Sequence, residues 1–409
     1  MKTVGLICEF NPLHHGHAHL LSMIRERFGE GTTIVAVMSG SFVQRGEPAL
    51  FDKWTRAQAA VAAGADLVLE LPFPQAAASA ERFADAAITV LDSLGAVDLL
   101  AFGSECGDTA PLIRLAEELE APAFLEAYAA FPNQNSVGTA EKTSVVYRKL
   151  YGRTERLSLL DRPNDLLGVS YIRALLRKKS AIRPVAFLRI GTAHDSESSE
   201  KTLPITSATE ARRLIKEGTE AQASALSRIP PSVACLYKGK ISEGKYTADD
   251  DIWKNLLLLH CRLTDPEALS KADGLGGGLS ARVLRAAGAA TDGADLFARI
   301  RTKKYTDAYL RRALLCALFG ITKEELNAPP SYTQILAFGE RGQKLLARIR
   351  RTAAIPLLTK PADYRLLPPT ARAAAELTAR ADAVYAALLL SPNSPAEEAK
   401  RSPYRAFVK

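Results

Sequence analysis

The sequence is short of the residues that staple or anchor a chain. Of 409 residues only five are cysteine (Cys8, Cys106, Cys235, Cys261, Cys316), an odd number with no CxxC pair. This argues against a disulfide framework and a zinc ribbon, and leaves reduced thiols as the simpler reading. Long apolar runs are missing too. The longest, such as 386–390, fall far short of the roughly 20 residues of a membrane span. The apolar stretch 3–8 is too short for a secretory signal and runs straight into polar residues. The expectation is a cytoplasmic protein with no membrane segment. The glycines from Gly274 to Gly278 lack the Lys-Ser/Thr that follows a P-loop, so they read as a flexible turn.

What is present fits a globular enzyme. Hydrophobic residues make up 47% and charged residues 24%, enough for a proper core. The length suggests two or three domains of roughly 100–200 residues each. A net charge of +8 favours an anionic partner, such as a nucleotide or nucleic acid, and says nothing of fold.

The first part alternates short apolar strands (4–8, 33–38, 66–71, 97–102) with helices (17–28, 52–63, 79–94). Wholly apolar strands separated by helices imply a parallel sheet covered on both faces. The right-handed crossover rule then predicts an α/β fold with a Rossmann-like, doubly wound sheet. Ligands in such sheets bind beyond the carboxyl ends of the strands, here after Cys8, Met38, Leu71 and Phe102. A further unit follows, with a helix over 168–178, a strand over 184–190 and a helix over 207–217, the last opened by a Ser207/Glu210 capping box. The polar stretch 191–206 between them reads as a mobile loop. Pro230-Pro231 marks a boundary between residues 1–229 and a mostly helical second domain, 230–409. Its helices are expected over 252–261, 279–287, 308–319, 332–350 and 371–390.

Four of the six histidines fall between positions 14 and 19, between a buried strand and a helix start. A helix N-terminus offers unpaired N–H groups and the positive end of a dipole, which suits phosphate. Gly16 would let backbone approach a ligand, and Pro12 fixes the chain before the turn. His14 and His17 could place imidazole donors against a phosphoryl group. A metal site and a surface cluster without a role are the rival readings. Against the metal, only Glu9 and Cys8 lie nearby in sequence, and Pro and Gly break the spacing of a helical zinc motif.

His14-x-Gly16-His17 after an apolar strand is similar to the HxGH motif of the nucleotidylyltransferase superfamily. The surrounding segments are more specific. They include Glu9-Phe10-Asn11-Pro12, the run from Met38 to Pro48, that from Gly64 to Pro72, and Phe102-Gly103-Ser104-Glu105. Further on come Arg162-Pro163-Asn164-Asp165, Gly168 to Ile172, Ser207-Ala208-Thr209 and, more thinly, Lys303 to Thr306. Together they resemble the tRNA(Met) cytidine acetate ligase family, strongly over the first 215 residues and weakly beyond.

The resemblance implies an ATP-dependent ligase of two steps. Acetate attacks ATP to give acetyl-adenylate, and the acetyl group passes to N4 of the wobble cytidine of elongator tRNA(Met). It implies His14 and His17 as catalytic residues. It implies ATP contacts from Ile7, Cys8, Glu9, Phe10, Asn11, Pro12, Leu13, His14, His15, Gly16, His17, Ala18, His19 and Leu20, with Gly103, Asn164, Arg189, Ser207 and Thr209. Mg²⁺ is expected with ATP, and no protein ligand set for a metal is assigned.

Read from the residues alone, each later position has a plainer alternative. Gly103 could be a tight turn, Asn164 a turn former or N-cap, and Ser207 and Thr209 a capped helix start. Arg189 at the end of an apolar strand is costly to bury without an anionic partner. Gln44, Arg45 and Lys53, after the second strand, could meet substrate or tRNA. The stretches 299–312 and 341–351 are basic, and Lys303, Lys304 and Tyr305 in the first suit an RNA backbone with a stacking ring. A solvated helix face explains those stripes almost as well. A small-molecule adenylyltransferase and a non-catalytic, nucleotide-sensing RNA-binding protein remain the alternative functions.

Overall fold

A computed structural model describes residues 2–131, 139–152, 154–189, 207–302 and 304–406, with side chains of the second stretch described from 141. Among the described residues ten strands form: β1 (Thr3–Cys8), β2 (Thr33–Ser39), β3 (Phe42–Val43), β4 (Glu47–Pro48), β5 (Leu67–Leu71), β6 (Leu99–Ser104), β7 (Arg183–Leu188), β8 (Thr333–Gly339), β9 (Leu357–Leu358) and β10 (Tyr404–Ala406). Eight make one sheet in the order β10-β8-β5-β2-β1-β6-β7, with β9 beside β8, while β3 and β4 pair separately.

The five strands read from the apolar runs all form, and they pair in parallel, with β1 against β2 running Thr3–Thr33 to Cys8–Met38. The strand period of two divides their side chains between two cores. Val35, Val37, Leu67 and Leu69 pack on one face, and Ile34, Ala36, Met38 and Val68 on the other. Both faces are therefore covered, which is why these strands carry no polar alternation.

The helical reading of 332–350 is corrected. Its first part is β8, antiparallel to β5, and only Glu340–Thr352 is helix. The run Ile335-Leu336-Ala337-Phe338 is apolar at every position, so periodicity cannot separate a buried strand from a buried helix. The edge of β5 decides it. β10 then pairs with β8, so the far end of the chain returns to a sheet that is mixed and mostly parallel. Between these strands the C-terminal region is helical, with its own core around Trp253, Leu257, Leu314 and Tyr385. Phe42 and Phe73 enter that core from the N-terminal half.

Two helix starts also differ. The helix expected over 168–178 begins at Pro163, because proline suits the first helical position, and this sets Asn164 in the first turn. At Ser207 only half of the capping box forms. Ser207 Oγ accepts from Glu210 N–H, but the Glu210 carboxylate turns to Arg213. Ile190 and the expected loop 191–206 lie outside the described residues. No described helix is long and apolar enough to cross a membrane.

Candidate active site

β1 ends at Cys8, and the chain turns through Phe10, whose φ of 46° is left-handed and strained for a bulky residue. A cis Asn11–Pro12 bond follows, and helix His15–Phe28 starts two residues before the sequence reading. Its cap is made of imidazole. His14 Nδ1 accepts from Gly16 N–H at 3.1 Å, and His17 Nδ1 accepts from His14 N–H at 3.3 Å. The two rings stack at 3.8 Å. A ring nitrogen that accepts a backbone N–H carries no proton, so each neutral ring holds its proton on Nε2 and can donate there.

Electrostatics keep them so. Burial, then Arg189 and His15, lower the His14 pKa to about 4. Burial, then His14 and Arg189, hold His17 well below its ordinary value. These are neutral donors at physiological pH. The Gly16 N–H is committed to the His14 ring.

The loop is pinned from distant parts of the chain. Leu13 N–H donates to Tyr237 Oη at 3.1 Å, and Asn11 Oδ1 accepts from Leu50 N–H at 2.7 Å. Arg56 is wholly buried and donates to the carbonyls of Glu9 (2.7 Å), Ser39 (3.1 Å), Phe51 (2.9 Å) and Gly40. It thereby ties the ends of β1 and β2 together. The Glu9 carboxylate accepts from Gln44 N–H at 2.7 Å, yet burial still raises its pKa; burial likewise pushes the Cys8 thiol up.

The opposite wall is built at the ends of β6 and β7. Arg189 donates from its backbone to Ser104 O and from Nη1 to Asn164 Oδ1, both at 3.0 Å. A Cβ on Gly103 would lie 3.1 Å from Arg189 Cγ. The Glu105 carboxylate accepts from the Asn164 side-chain amide and from the N–H groups of Asn164 and Asp165. Burial works to raise the Glu105 pKa, but these hydrogen bonds outweigh it and hold the group below its ordinary value. Asp165, fully buried, accepts in turn from Ser104 Oγ and the N–H groups of Glu105 and Cys106.

The fold thus gathers His14, His17, Gly103, Asn164 and Arg189 at one corner of the sheet's carboxyl edge. His15, Gly16, Ala18, His19 and Leu20 lie half-buried on the first turns of the helix, with Ile7, Phe10, Asn11, Pro12 and Leu13 buried below. Thr209 is tied to the corner by Arg212, which donates to Asn11 O at 2.7 Å and to Thr209 Oγ1 at 3.2 Å, whereas Ser207 is exposed and caps its own helix.

Arg45 sits on a turn docked against helix Asp307–Phe319. Arg311 Nε meets Arg45 O at 3.3 Å, and Gly46 adopts a φ of 73° with Arg312 close behind it. Lys304 sits 5.1 Å over the Tyr305 ring, which stacks on Tyr309. Lys303 lies outside the described residues. One sequence reading needs correction. Lys53 is not a surface contact but is buried between Glu70 and Asp382. The basic stripe 341–351 starts beside Asp66, at the opposite edge of the sheet, with Arg341 3.8 Å from it. Reading by sequence missed Glu105, Asp165, Arg56 and Tyr237 as builders of the site. Glu105 and Asp165 carried a signal, each being an acid directly after an apolar strand or at a helix start. Arg56 and Tyr237 carried none.

Among the described residues no three His, Cys, Asp or Glu side chains come together as a metal cluster. Protein ligands alone do not build a Mg²⁺ cage, and this ion commonly rides on nucleotide phosphates with few protein ligands.

Comparison with known proteins closes the case. Residues 1–401 match the family HIGH Nucleotidyl Transferase. Proteins named tRNA(Met) cytidine acetate ligase from Alkaliphilus metalliredigens (35% identity, 89% of each chain) and Halothermothrix orenii (34%, 88% of this chain and 87% of that one) are similar over most of the length. So is one from Syntrophotalea carbinolica (34%, 95% and 94%). The crystal structure of Thermotoga maritima TmcAL bound with alpha-thio ATP superposes over the whole of both chains with a TM-score of 0.90 at 28% identity. This chain therefore belongs to the HIGH Nucleotidyl Transferase family and, within it, to the tRNA(Met) cytidine acetate ligases.

Proposed function

We propose that the protein is an ATP-dependent ligase that activates acetate as acetyl-adenylate and transfers the acetyl group to N4 of the wobble cytidine of elongator tRNA(Met). The observation that carries this is the pair of neutral, Nε2-protonated imidazoles facing Arg189 across the corner, in a chain of this family. In the first step an acetate oxygen bonds to the α-phosphorus of ATP while the bond to pyrophosphate breaks. Charge gathers on the α-phosphoryl oxygens, and His14 and His17 donate to it without themselves having to reorganise. Arg189, held by Asn164, supplies the fixed positive charge. Gly103 leaves the sheet edge open to the nucleotide, and the helix start at Ser207 and Thr209 takes the outer phosphates. In the second step N4 bonds to the acetyl carbon, AMP leaves, and the amine sheds a proton.

Mg²⁺ accompanies ATP, borne chiefly by its phosphates. Arg45, Lys303, Lys304 and Tyr305 contact the tRNA, and the helical segment 230–409 carries most of that surface. The reaction belongs to the cytoplasm, where ATP and tRNA reside. The purified chain, given ATP, acetate and elongator tRNA(Met) transcript, should yield N4-acetylcytidine in a nuclease digest analysed by mass spectrometry. A wobble cytidine left unmodified, with no acetate-dependent exchange of pyrophosphate into ATP, overturns the reading.

A further inference from the structure

A cavity of about 340 Å³ lies between β4 and the helices Asp250–Leu263, Gly293–Ile300 and Asp307–Phe319. That volume is at the lower end of the range for small-molecule sites, roughly 300–1,000 Å³. Its apolar walls come from Trp253 and Phe297, and its polar groups are Glu47, Asp250, Lys254, Asp307, Arg311 and Arg301, the last bonded to Asp307. Trp253 is buried, and its indole N–H has no hydrogen-bond partner among the described residues.

Glu47 joins the cavity to the nucleotide corner. One carboxylate oxygen lies 3.6 Å from Arg212, the arginine that donates to Asn11 O. The other lies 3.6 Å from Arg311 in the cavity wall. A pyrimidine bearing an exocyclic amine shows a donor at N4 and acceptors at N3 and O2. Its complement is a carboxylate beside arginines, between aromatic walls. A base taken out of its stack is read in this way, by its pairing edge and its faces.

We propose that this cavity seats the acceptor cytosine, with Glu47 accepting from its N4 amine on the side that faces Asn11. The proposal rests on the acceptor named above. It assigns the cavity and Glu47 to the second step, with Glu47 on the border between the cavity and the Asn11 side of the ATP corner. The basic groups around it, Arg301 and Arg311 with the Arg45 turn, then track the flanking phosphates.

The test uses the full chain and an anticodon stem-loop with 5-bromocytidine at the wobble position. After irradiation the crosslinked peptide should contain Trp253 or Phe297. Ala298 lines the cavity and is exposed, so Ala298→Trp fills it at little cost to the fold. This variant should acetylate tRNA at least about tenfold more slowly, with acetate-dependent pyrophosphate exchange within about twofold of the parent. Glu47→Gln should narrow the preference for a wobble cytidine over a wobble uridine in binding by about tenfold. A crosslink mapped elsewhere, or unimpaired acetylation by Ala298→Trp, overturns the proposal. Should the parent make no acetyl-adenylate, the ligase reading fails, while the crosslink still decides whether the cavity takes the base.

Discussion

At the ends of β1, β6 and β7 the two imidazoles are held by the backbone and keep a donor to spare. His14 and His17 each use one ring nitrogen on the backbone and leave Nε2 for a ligand. One strand over, at the ends of β2 and β5, Lys53 Nζ lies 2.9 Å from Glu70 Oε2 and 2.7 Å from Asp382 Oδ2. Ser41 Oγ donates to Asp382 at 2.6 Å, and Glu398 accepts from the Trp54 indole. Burial, with Lys53 acting against it, pushes the Glu70 carboxyl up to about 7. Burial and the neighbouring Asp382 push Glu398 up to about 7 as well. The first cluster is built for a partner that comes from outside. The second already has its partners, supplied by helices 300 residues further on. It locks the C-terminal helices to the sheet, and a chemist reading Lys53 by sequence alone would have put it in the wrong class.

The comparison breaks most easily at the lock. Lys53→Ala leaves buried carboxylates without their cation and should destabilise the fold by about 3–5 kcal/mol in urea unfolding. The triple change Lys53→Met with Glu70→Met and Asp382→Leu, which removes the cation together with both carboxylates it pairs, should lose far less. Equal losses would mean that Lys53 serves something other than the ion cluster.

At the open corner the expected loss is in rate. His14→Asn keeps a good helix cap but removes the Nε2 donor. It and His17→Ala should each slow acetate-dependent pyrophosphate exchange by roughly 10²–10³, with the melting temperature little changed. A large drop in stability with normal exchange would reverse the assignment of the two clusters.

A smaller effect is expected at Gly103. Its added Cβ meets Arg189 Cγ, so Gly103→Ala should raise KM for ATP by roughly threefold to tenfold, about 1 kcal/mol. An unchanged KM would show that Arg189 can yield without cost.

The gentlest test is titration, because the two clusters respond to acid with opposite signs. His14 has a lowered pKa, so its contribution to stability is present above about 6.5 and is lost as pH falls through about 4. Glu70 has a raised one, so its contribution is full below about 4.5 and is lost as pH rises through about 7. Nitrogen NMR of labelled histidine should show His14 neutral and Nε2-protonated down to about pH 4. Glu70→Gln should flatten the decline in stability between pH 5 and 8, measured by denaturant unfolding.

Much of the fold was legible because its signals are local. An apolar strand, a histidine-rich turn and a helix start follow one another within residues 3–28, and hydrophobic runs alone place five parallel strands. The carboxyl-edge rule then points to the loops after β1, β2, β5 and β6, without choosing among them. What was not legible is everything whose partner lies far along the chain. The run Ile335 to Phe338 becomes strand β8 only because β5 presents an open edge.

The sequence by itself determined the parallel core, the histidine-rich turn before a helix and the family, since these depend on neighbours in the chain and on a dense run of matching segments. Only the tertiary structure decided that the histidines are neutral, because burial and Arg189, 175 residues away, set their pKa values. It alone decided that Lys53 is sealed between Glu70 and Asp382, and that Glu47 stands between the nucleotide loop and a cavity. Charge and hydrogen bonding act through space, and a residue's role follows from what the fold brings beside it.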